Sequence, residues 1–335
     1  VKEKAKQMLS FLLRFGLSAA LLIYLFRKDD LIKAVTDIKN ADLTYLALAL
    51  LCNIIIYGIL LLRWNLIIKG LDLALPLRRV AKWFWIGMFF NLTLPTSTGG
   101  DIVKAIGLCK GTHDRAKVVA SILLDRLFGF IAITLVAFVS YFAVHQIANN
   151  HFLLITIVAL FAIFWGGLLF LLNEKLYTFM CGIFNRLPRI KEKLLKFHQA
   201  IVLIKNQVGL MFTVIVLSCL SQALLGLSYF LTAQGLHQDV NVVYCIAFAP
   251  LVCVASSMPS VGGFGFRESA LVCLFLKVGI LGAKAKSIAL LNSLYLILLG
   301  LVGACVYVSS VFTRRLQRHP SDFIDGRPID HSRGT

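Results

Sequence analysis

Apolar residues in this chain gather into blocks at 8–26, 45–62, 118–144, 152–172, 208–231 and 288–311. Roughly 20 helical residues cross the ~30 Å hydrocarbon core of a bilayer, and a water-soluble fold has nowhere to hide so many stretches of that length. The blocks show no alternation of apolar and polar residues, so they do not read as strands of a membrane barrel. In lipid, their backbone groups are then satisfied only within helices. The chain is therefore predicted to be all-α, a polytopic integral membrane bundle. The first block carries Arg14 midway and lacks a small-residue cleavage site, so it is expected to be a retained helix.

Charge gives the orientation. Lys and Arg number 34 against 16 Asp and Glu, a formal net charge of +18. No soluble module combines basic and aromatic residues, so nucleic acid is not an expected partner. The basic residues instead follow the rule that cytoplasmic loops are positive. If the N-terminus is cytoplasmic and the stretches 83–110 and 242–281 each enter and leave on one side, most of the 34 fall in cytoplasmic segments at 1–14, 63–82, 104–117, 174–205 and beyond 311. The opposite face receives 27–42, 145–151, 236–241 and 277–286. Both termini are then cytoplasmic, with about six full spans and two hairpins. Residues 242–258 are nearly long enough to cross, which leaves eight full spans as the alternative count.

On this reading residues 1–311 form a single transmembrane domain and 312–335 a polar cytoplasmic tail. The mixed apolar and basic segment 174–205 is either an amphipathic helix on the inner membrane surface or a solvated linker. The eight cysteines are scattered through apolar blocks without a C-x-x-C pair, and the seven histidines show no ligand spacing. Packing is the expected role of these cysteines, and neither metal nor cofactor is expected.

Two short stretches resemble each other. The first runs from Leu94 through Pro95, Gly99, Gly100 and Asp101 to Lys104, the second from Met258 through Pro259, Gly262, Gly263, Gly265 and Arg267 to Glu268. In both, an apolar run ends at proline, a Gly-Gly pair follows within four residues, and a basic residue stands four positions after the second glycine. The twelve residues from Trp83 to Leu94 give ~18 Å of helix, too short to cross. Proline disfavours helix in the residue before it and paired glycines permit a reversal, so each stretch is expected to form a re-entrant hairpin. By the loop assignment the two hairpins enter from opposite faces and are inverted repeats.

Helices interrupted at mid-depth present unpaired N–H groups and the positive end of their dipole, which attract an anion. Lys104 and Arg267, one turn into the resumed helices, add full charge, and a guanidinium can engage two phosphate oxygens. Charges at such depth need partners, so Asp101, Asp125, Arg126, Arg267 and Glu268 are expected to neutralise one another around a polar centre. Packing is the plainer reading of either motif alone, since Gly, Ser and Thr often serve only close helix contact; the repetition at opposite orientation favours a ligand. Asn91, Gln222, Asn292 and Ser293 are read as interhelical hydrogen-bond residues. No catalytic residue is assigned.

The segments LPTSTGGDIVKAIGL, ASILLDRLFGF and SSMPSVGGFGFRESALVCLFLKVG, in that order, resemble the membrane domain of lysylphosphatidylglycerol synthases and their stand-alone relatives. The resemblance covers about 83–311 and implies a flippase-type role in a cell envelope, moving an anionic or aminoacylated phospholipid or a polyprenyl-linked carrier between leaflets of a bacterial inner membrane. Nothing after residue 311 matches the soluble aminoacyl-transfer domain of the full synthases, so lysine transfer is not expected. Lys104 stands where the family often carries Arg. Two other functions fit the residues: an intramembrane transferase using Asp101, Asp125 or Glu268 as general base, and a lipid-binding scaffold for an envelope-biosynthesis enzyme such as a glycosyltransferase. The nucleotide-binding motif G-x-x-x-x-G-K-[ST] does not occur. A homo-oligomer is compatible with all three functions.

Overall fold

The computed structural model describes residues 36–94, 99–110, 112, 114–143, 151–173, 202–204, 207–258, 260 and 262–318. Among them the regular elements are all helices, in the order α1 (Leu43–Gly70), α2 (Leu77–Thr93), α3 (Gly99–Cys109), α4 (Arg115–Ala143), α5 (His151–Leu172), α6 (Val208–Gly235), α7 (Val242–Ser256), α8 (Phe266–Lys277) and α9 (Gly282–Arg318). Among the described residues four helical stretches are long and apolar enough to cross a membrane: Leu43–Gly70, Arg115–Phe142, Val208–Gly235 and Gly282–Phe312.

Local chemistry sets the helix ends. Asp42 starts α1 by accepting the Thr44 N–H at 2.8 Å, and Asn241 starts α7 by accepting the Val243 N–H at 2.9 Å. Such caps satisfy donors that a helix start leaves open. Pro76, with φ already near the helical value, stands just ahead of α2.

Three boundaries differ from those read in the sequence. First, α1 does not stop near residue 62 but runs to Gly70, so Arg63, assigned above to a cytoplasmic loop, is a buried helical residue at 6% exposure. The hydropathy falls there because a charge is paired inside the bundle, not because the helix has ended. Second, the arm ahead of the first break begins at Leu77, not near 83, giving 17 residues where twelve were expected. Third, α9 continues past residue 311 to Arg318. The first apolar block, nearly all of the 174–205 segment and the end of the tail lie outside the described residues.

The core falls into two apolar clusters. One joins the first half of α1 to the second half of α6 and to α7, α8 and α9, around Phe248, Phe275 and Tyr229. The other joins the second half of α1 to α2, α4 and the start of α6, around Trp64, Phe84 and Phe128. Both α1 and α6 therefore run through both halves. They are antiparallel: Asp42, at the start of α1, donates its N–H to Gly235 O at the end of α6, at 2.9 Å. A short link carries the end of α1 into α2, and another carries the end of α6 into α7, so α2 and α7 set out from opposite ends of the bundle. Lys284 and Ser287 of α9 bind the Asp37 carboxylate, at 2.6 and 2.8 Å, and fasten α9 to the segment ahead of α1.

Outside the clusters, large apolar side chains such as Leu48, Leu51, Ile54, Phe212, Leu220, Ile297 and Leu301 are exposed along the long helices. Apolar surface on that scale is uncommon on a soluble monomer, and it suits contact with lipid tails. The seven described cysteines are free; Cys52 and Cys245 are buried.

Candidate functional site

Two of the interruptions between helices, between α2 and α3 and between α7 and α8, fall at the paired-glycine motifs. Glycine makes the first interruption tight. A β-carbon on Gly100 would collide with the carbonyl oxygen of Gly87 and with the Asn91 side chain, one on Gly87 would meet Lys104 Cγ at 2.6 Å, and one on Gly107 would enter the Trp83 ring. The two arms thus touch backbone to backbone, as small residues allow in membrane helices. Asn91 of α2 then reaches across and accepts the Gly100 N–H at 2.9 Å, supplying one of the partners that the start of α3 needs.

Asp101, buried in the first turn of α3, is the centre of a charge cluster. Its Oδ1 accepts from Lys104 Nζ at 3.2 Å and its Oδ2 from Arg126 Nε of α4 at 2.6 Å. Two cations therefore share one carboxylate. Lys104 is itself buried, and its ammonium lies 5.3 Å from the ring centres of both Trp64 and Phe84. That placement replaces part of its lost hydration with ring quadrupoles. The Arg126 side chain is 40% exposed.

Asp125, adjacent to Arg126, turns to another partner. Arg63 of α1 donates from Nε to Asp125 Oδ1 at 2.8 Å, from Nη2 to the Asp125 backbone oxygen at 3.2 Å, and from Nη1 to Ser218 Oγ of α6 at 3.0 Å. One guanidinium thereby joins three helices.

The second interruption is built differently. Gly262, Gly263 and Gly265 have φ of 60, 80 and 93°, a left-handed run that costs residues with a β-carbon ~1–2 kcal/mol each. Glu268, 1% exposed, caps α8 from within: its Oε2 accepts the Gly265 N–H at 2.6 Å. Its Oε1 takes two donors from Arg267, Nη2 at 2.6 Å and Nε at 3.1 Å, and lies against the hydroxyl of Ser293 in α9. The Arg267 guanidinium also sits 5.0 Å from the Phe264 ring centre. The charge of the second break is thus already neutralised by its neighbour, whereas that of the first is shared across helices.

The breaks touch: a β-carbon on Gly262 would stand 3.1 Å from the carbonyl oxygen of Leu92, near the end of α2. Of the residues singled out in the sequence, Gly99, Gly100, Asp101, Lys104 and Arg126 lie together at the first break, and Asp125 faces α1. Gly262, Gly263, Gly265, Arg267 and Glu268 lie at the second. Pro95 and Pro259 lie outside the described residues. Asn91 and Ser293 do bond between helices, as does Gln222, which lies 3.7 Å from the Cys253 thiol, whereas Asn292 bonds back to Ile288 of its own helix. Sequence reasoning missed Arg63, Trp64 and Phe84; an arginine so close to an apolar block was the one available signal for the first.

The model of the family described as "Lysylphosphatidylglycerol synthase TM region" matches residues 11–303. A UPF0104 membrane protein of Pyrococcus horikoshii is 27% identical over 288 residues, 78% of this chain and 85% of that protein. A UPF0104 membrane protein of Methanocaldococcus jannaschii is 24% identical over 283 residues, 78% of this chain and 83% of its own. No solved structure matches.

Proposed function

Because the chain belongs to the lysylphosphatidylglycerol synthase TM-region family, we propose that it is a flippase-type lipid transporter that binds an anionic phospholipid or a polyprenyl-linked lipid and moves it between leaflets. The carrying observation is the sharing of one buried carboxylate, Asp101, between Lys104 and Arg126 at the start of an interrupted helix. A phosphate entering there finds two cations already gathered on one carboxylate, with the positive end of the α3 dipole beneath them. Lipid tails remain in the bilayer beside the exposed apolar faces while the headgroup exchanges places with the Asp101 carboxylate.

The arms are short enough for this. The 17 residues of α2 give ~26 Å, the 15 of α7 ~22 Å, and α3 and α8, at 11 and 12 residues, give less than 20 Å. In this reading each pair is a re-entrant hairpin, the two enter from opposite faces, and their breaks meet inside the membrane where Gly262 abuts Leu92. Six full spans surround them, both termini are cytoplasmic, and the membrane is the cytoplasmic one. The single transmembrane domain ends near residue 311, and an envelope-biosynthesis enzyme is the fitting consumer of the lipid delivered.

The test is leaflet exchange in liposomes containing the purified protein. Exchange of labelled phosphatidylglycerol or of a polyprenyl phosphate should run faster than in empty vesicles. Rates equal to empty vesicles for both would refute the transport reading.

A further inference from the structure

We infer that the second break carries a subsite for a hydroxylated headgroup: Tyr57, Gln222 and Tyr229, with the open edge of the Arg267 guanidinium, bind a polyol, glycerol or sugar, attached beyond the lipid phosphate. The inference rests on the lipid-binding reading above and narrows the cargo to a lipid whose phosphodiester carries hydroxyls.

Hydrogen bonds between α1 and α6 fix the level of these residues. Asn53 of α1 donates to Ser228 Oγ of α6 at 2.7 Å, and Arg63 to Ser218 Oγ at 3.0 Å. Tyr57 falls between the two α1 residues and so stands opposite Leu224, about 3 Å along the axis from Gln222. Tyr57 and Gln222 are thus at the midpoints of their helices. From α7, the Cys253 thiol meets the Gln222 amide oxygen at 3.7 Å. One turn along α6, a β-carbon on Gly226 would overlap the backbone of Ile246, which shows how closely α6 and α7 approach there. Tyr57 and Cys253 both feel the charge of Arg267, and Tyr229 feels those of Arg267 and Glu268. Side chains of α1, α6, α7 and α8 therefore converge at mid-height of the bundle.

What converges there is a set of unused polar groups. Among the described residues the hydroxyls of Tyr57 and Tyr229 make no hydrogen bond, and the Gln222 amide nitrogen donates none. Arg267 commits Nε and Nη2 to Glu268 and Ser293 and leaves Nη1 open. Gln222 and Tyr229 are buried, and buried polar groups ordinarily find partners. Glu268 already neutralises Arg267, so the set is not built around a free charge. A phosphate only accepts hydrogen bonds and would leave the lone pairs of both phenols unused, whereas the hydroxyls of a polyol donate as well as accept. A row of rings joins this set to Lys104 at the first break. Trp64 lies 5.3 Å from the Lys104 ammonium, and the pairs Trp64–Phe84, Phe84–Trp85 and Trp85–Tyr57 have centroid separations of 6.4, 5.8 and 6.2 Å. Trp64 and Tyr57 are two turns apart on one face of α1, about 10 Å, a distance that a phosphodiester and its attached polyol cover.

The experiment measures lipid retained by the purified protein from nanodiscs holding equal amounts of phosphatidylglycerol and phosphatidylpropanol, which carries the same charge and no headgroup hydroxyl. A second arm sets a polyprenyl hexosyl phosphate against a polyprenyl methyl phosphate. The quantity read is the ratio of hydroxylated to hydroxyl-free lipid. Wild type should favour the hydroxylated lipid roughly tenfold in at least one arm, and the favoured arm identifies the source of the polyol. Tyr57→Phe, Tyr229→Phe and Gln222→Met keep the packing volume, and at least two of the three should lower that ratio roughly fivefold, the worth of one hydrogen bond. If wild type retains the anionic lipids without regard to hydroxyls, or if fewer than two variants lower the ratio, these groups hold water or serve packing. This inference is then overturned and the lipid-binding reading stands. If wild type retains none of the four lipids, both fall. Should Gln222→Met fail to fold, the two phenylalanine variants decide, and both must lower the ratio.

Discussion

The carbonyl oxygen of Leu92 lies so near Gly262 that a β-carbon there would approach it to 3.1 Å. Leu92 belongs to the last turn of α2 and Gly262 to the turn ahead of α8. Two chain interruptions 170 residues apart in sequence are thus joined through backbone, with no side chain of the second intervening. A contact of that kind transmits displacement directly, because neither partner has a rotamer with which to absorb it.

Gly262→Ala should therefore cost more than its dihedral angle alone. The left-handed φ of 60° costs an alanine ~1–2 kcal/mol, and the Leu92 oxygen adds crowding. Gly279→Ala is the control, with φ 88° and nothing within 4 Å of its β-carbon. Thermal melting in one detergent should place Gly262→Ala below Gly279→Ala; equal losses would show that the contact yields freely.

Glu268 is expected to behave as part of the fold. Glu268→Ala removes the cap on the Gly265 N–H and strands the Arg267 guanidinium, which is 15% exposed. Breaking a buried pair from one side typically costs ~3–5 kcal/mol. Glu268→Ala combined with Arg267→Ala should recover part of that loss, and calorimetry on the single and double variants measures the recovery. No recovery would mean that the pair is not coupled.

At the first break the expectation reverses, because function should fail before stability does. Lys104→Gln leaves Asp101 with Arg126, and Arg126→Gln leaves it with Lys104, so each single variant keeps the carboxylate paired. Each should slow lipid exchange at least tenfold, with a loss of stability below ~2 kcal/mol. Removing both strands Asp101 and should cost ~3–5 kcal/mol. Exchange rates and melting curves from the same preparations separate the two effects. Wild-type exchange in either single variant would remove that residue from the headgroup site.

The entry of the hairpins from opposite faces is checked by labelling. Positions 74 and 239 lie in the loops that follow α1 and α6. Cysteines placed there, in a background lacking the exposed Cys273 and Cys305, should react with an impermeant maleimide from opposite sides of sealed vesicles. Labelling from one side would overturn the inverted arrangement.

Much of this fold was legible because long apolar runs leave few choices: the starts of α4, α5 and α6 fall within a few residues of where hydropathy placed them. The helix interruptions were legible too, from proline followed by paired glycines. Hydropathy failed where a charge is buried with a partner far away in sequence. Arg63 ended the apolar run on paper, yet Asp125 and Ser218 hold it inside, and a partner 62 positions away leaves no local trace. The early start of α2 was signalled by Pro76, and the length of the following apolar run drew attention away from it. At the site, the Asp101–Lys104 pair could be read from its i, i+3 spacing. The Trp64 and Phe84 rings beside Lys104 could not, since aromatic residues in an apolar helix usually signify packing alone.

The glycines between α2 and α3 also restrict motion. Gly107 faces the Trp83 ring and Gly100 the Gly87 carbonyl, so the arms interlock at one register. A slip of a single turn would bring Val103 to the place of Gly107, where the indole leaves no room for an isopropyl group. The arms therefore cannot slide past each other by a turn in that direction. On the transport reading proposed above, the movement that carries cargo would swing α2 and α3 together, as a stiff blade pivoting on their neighbours.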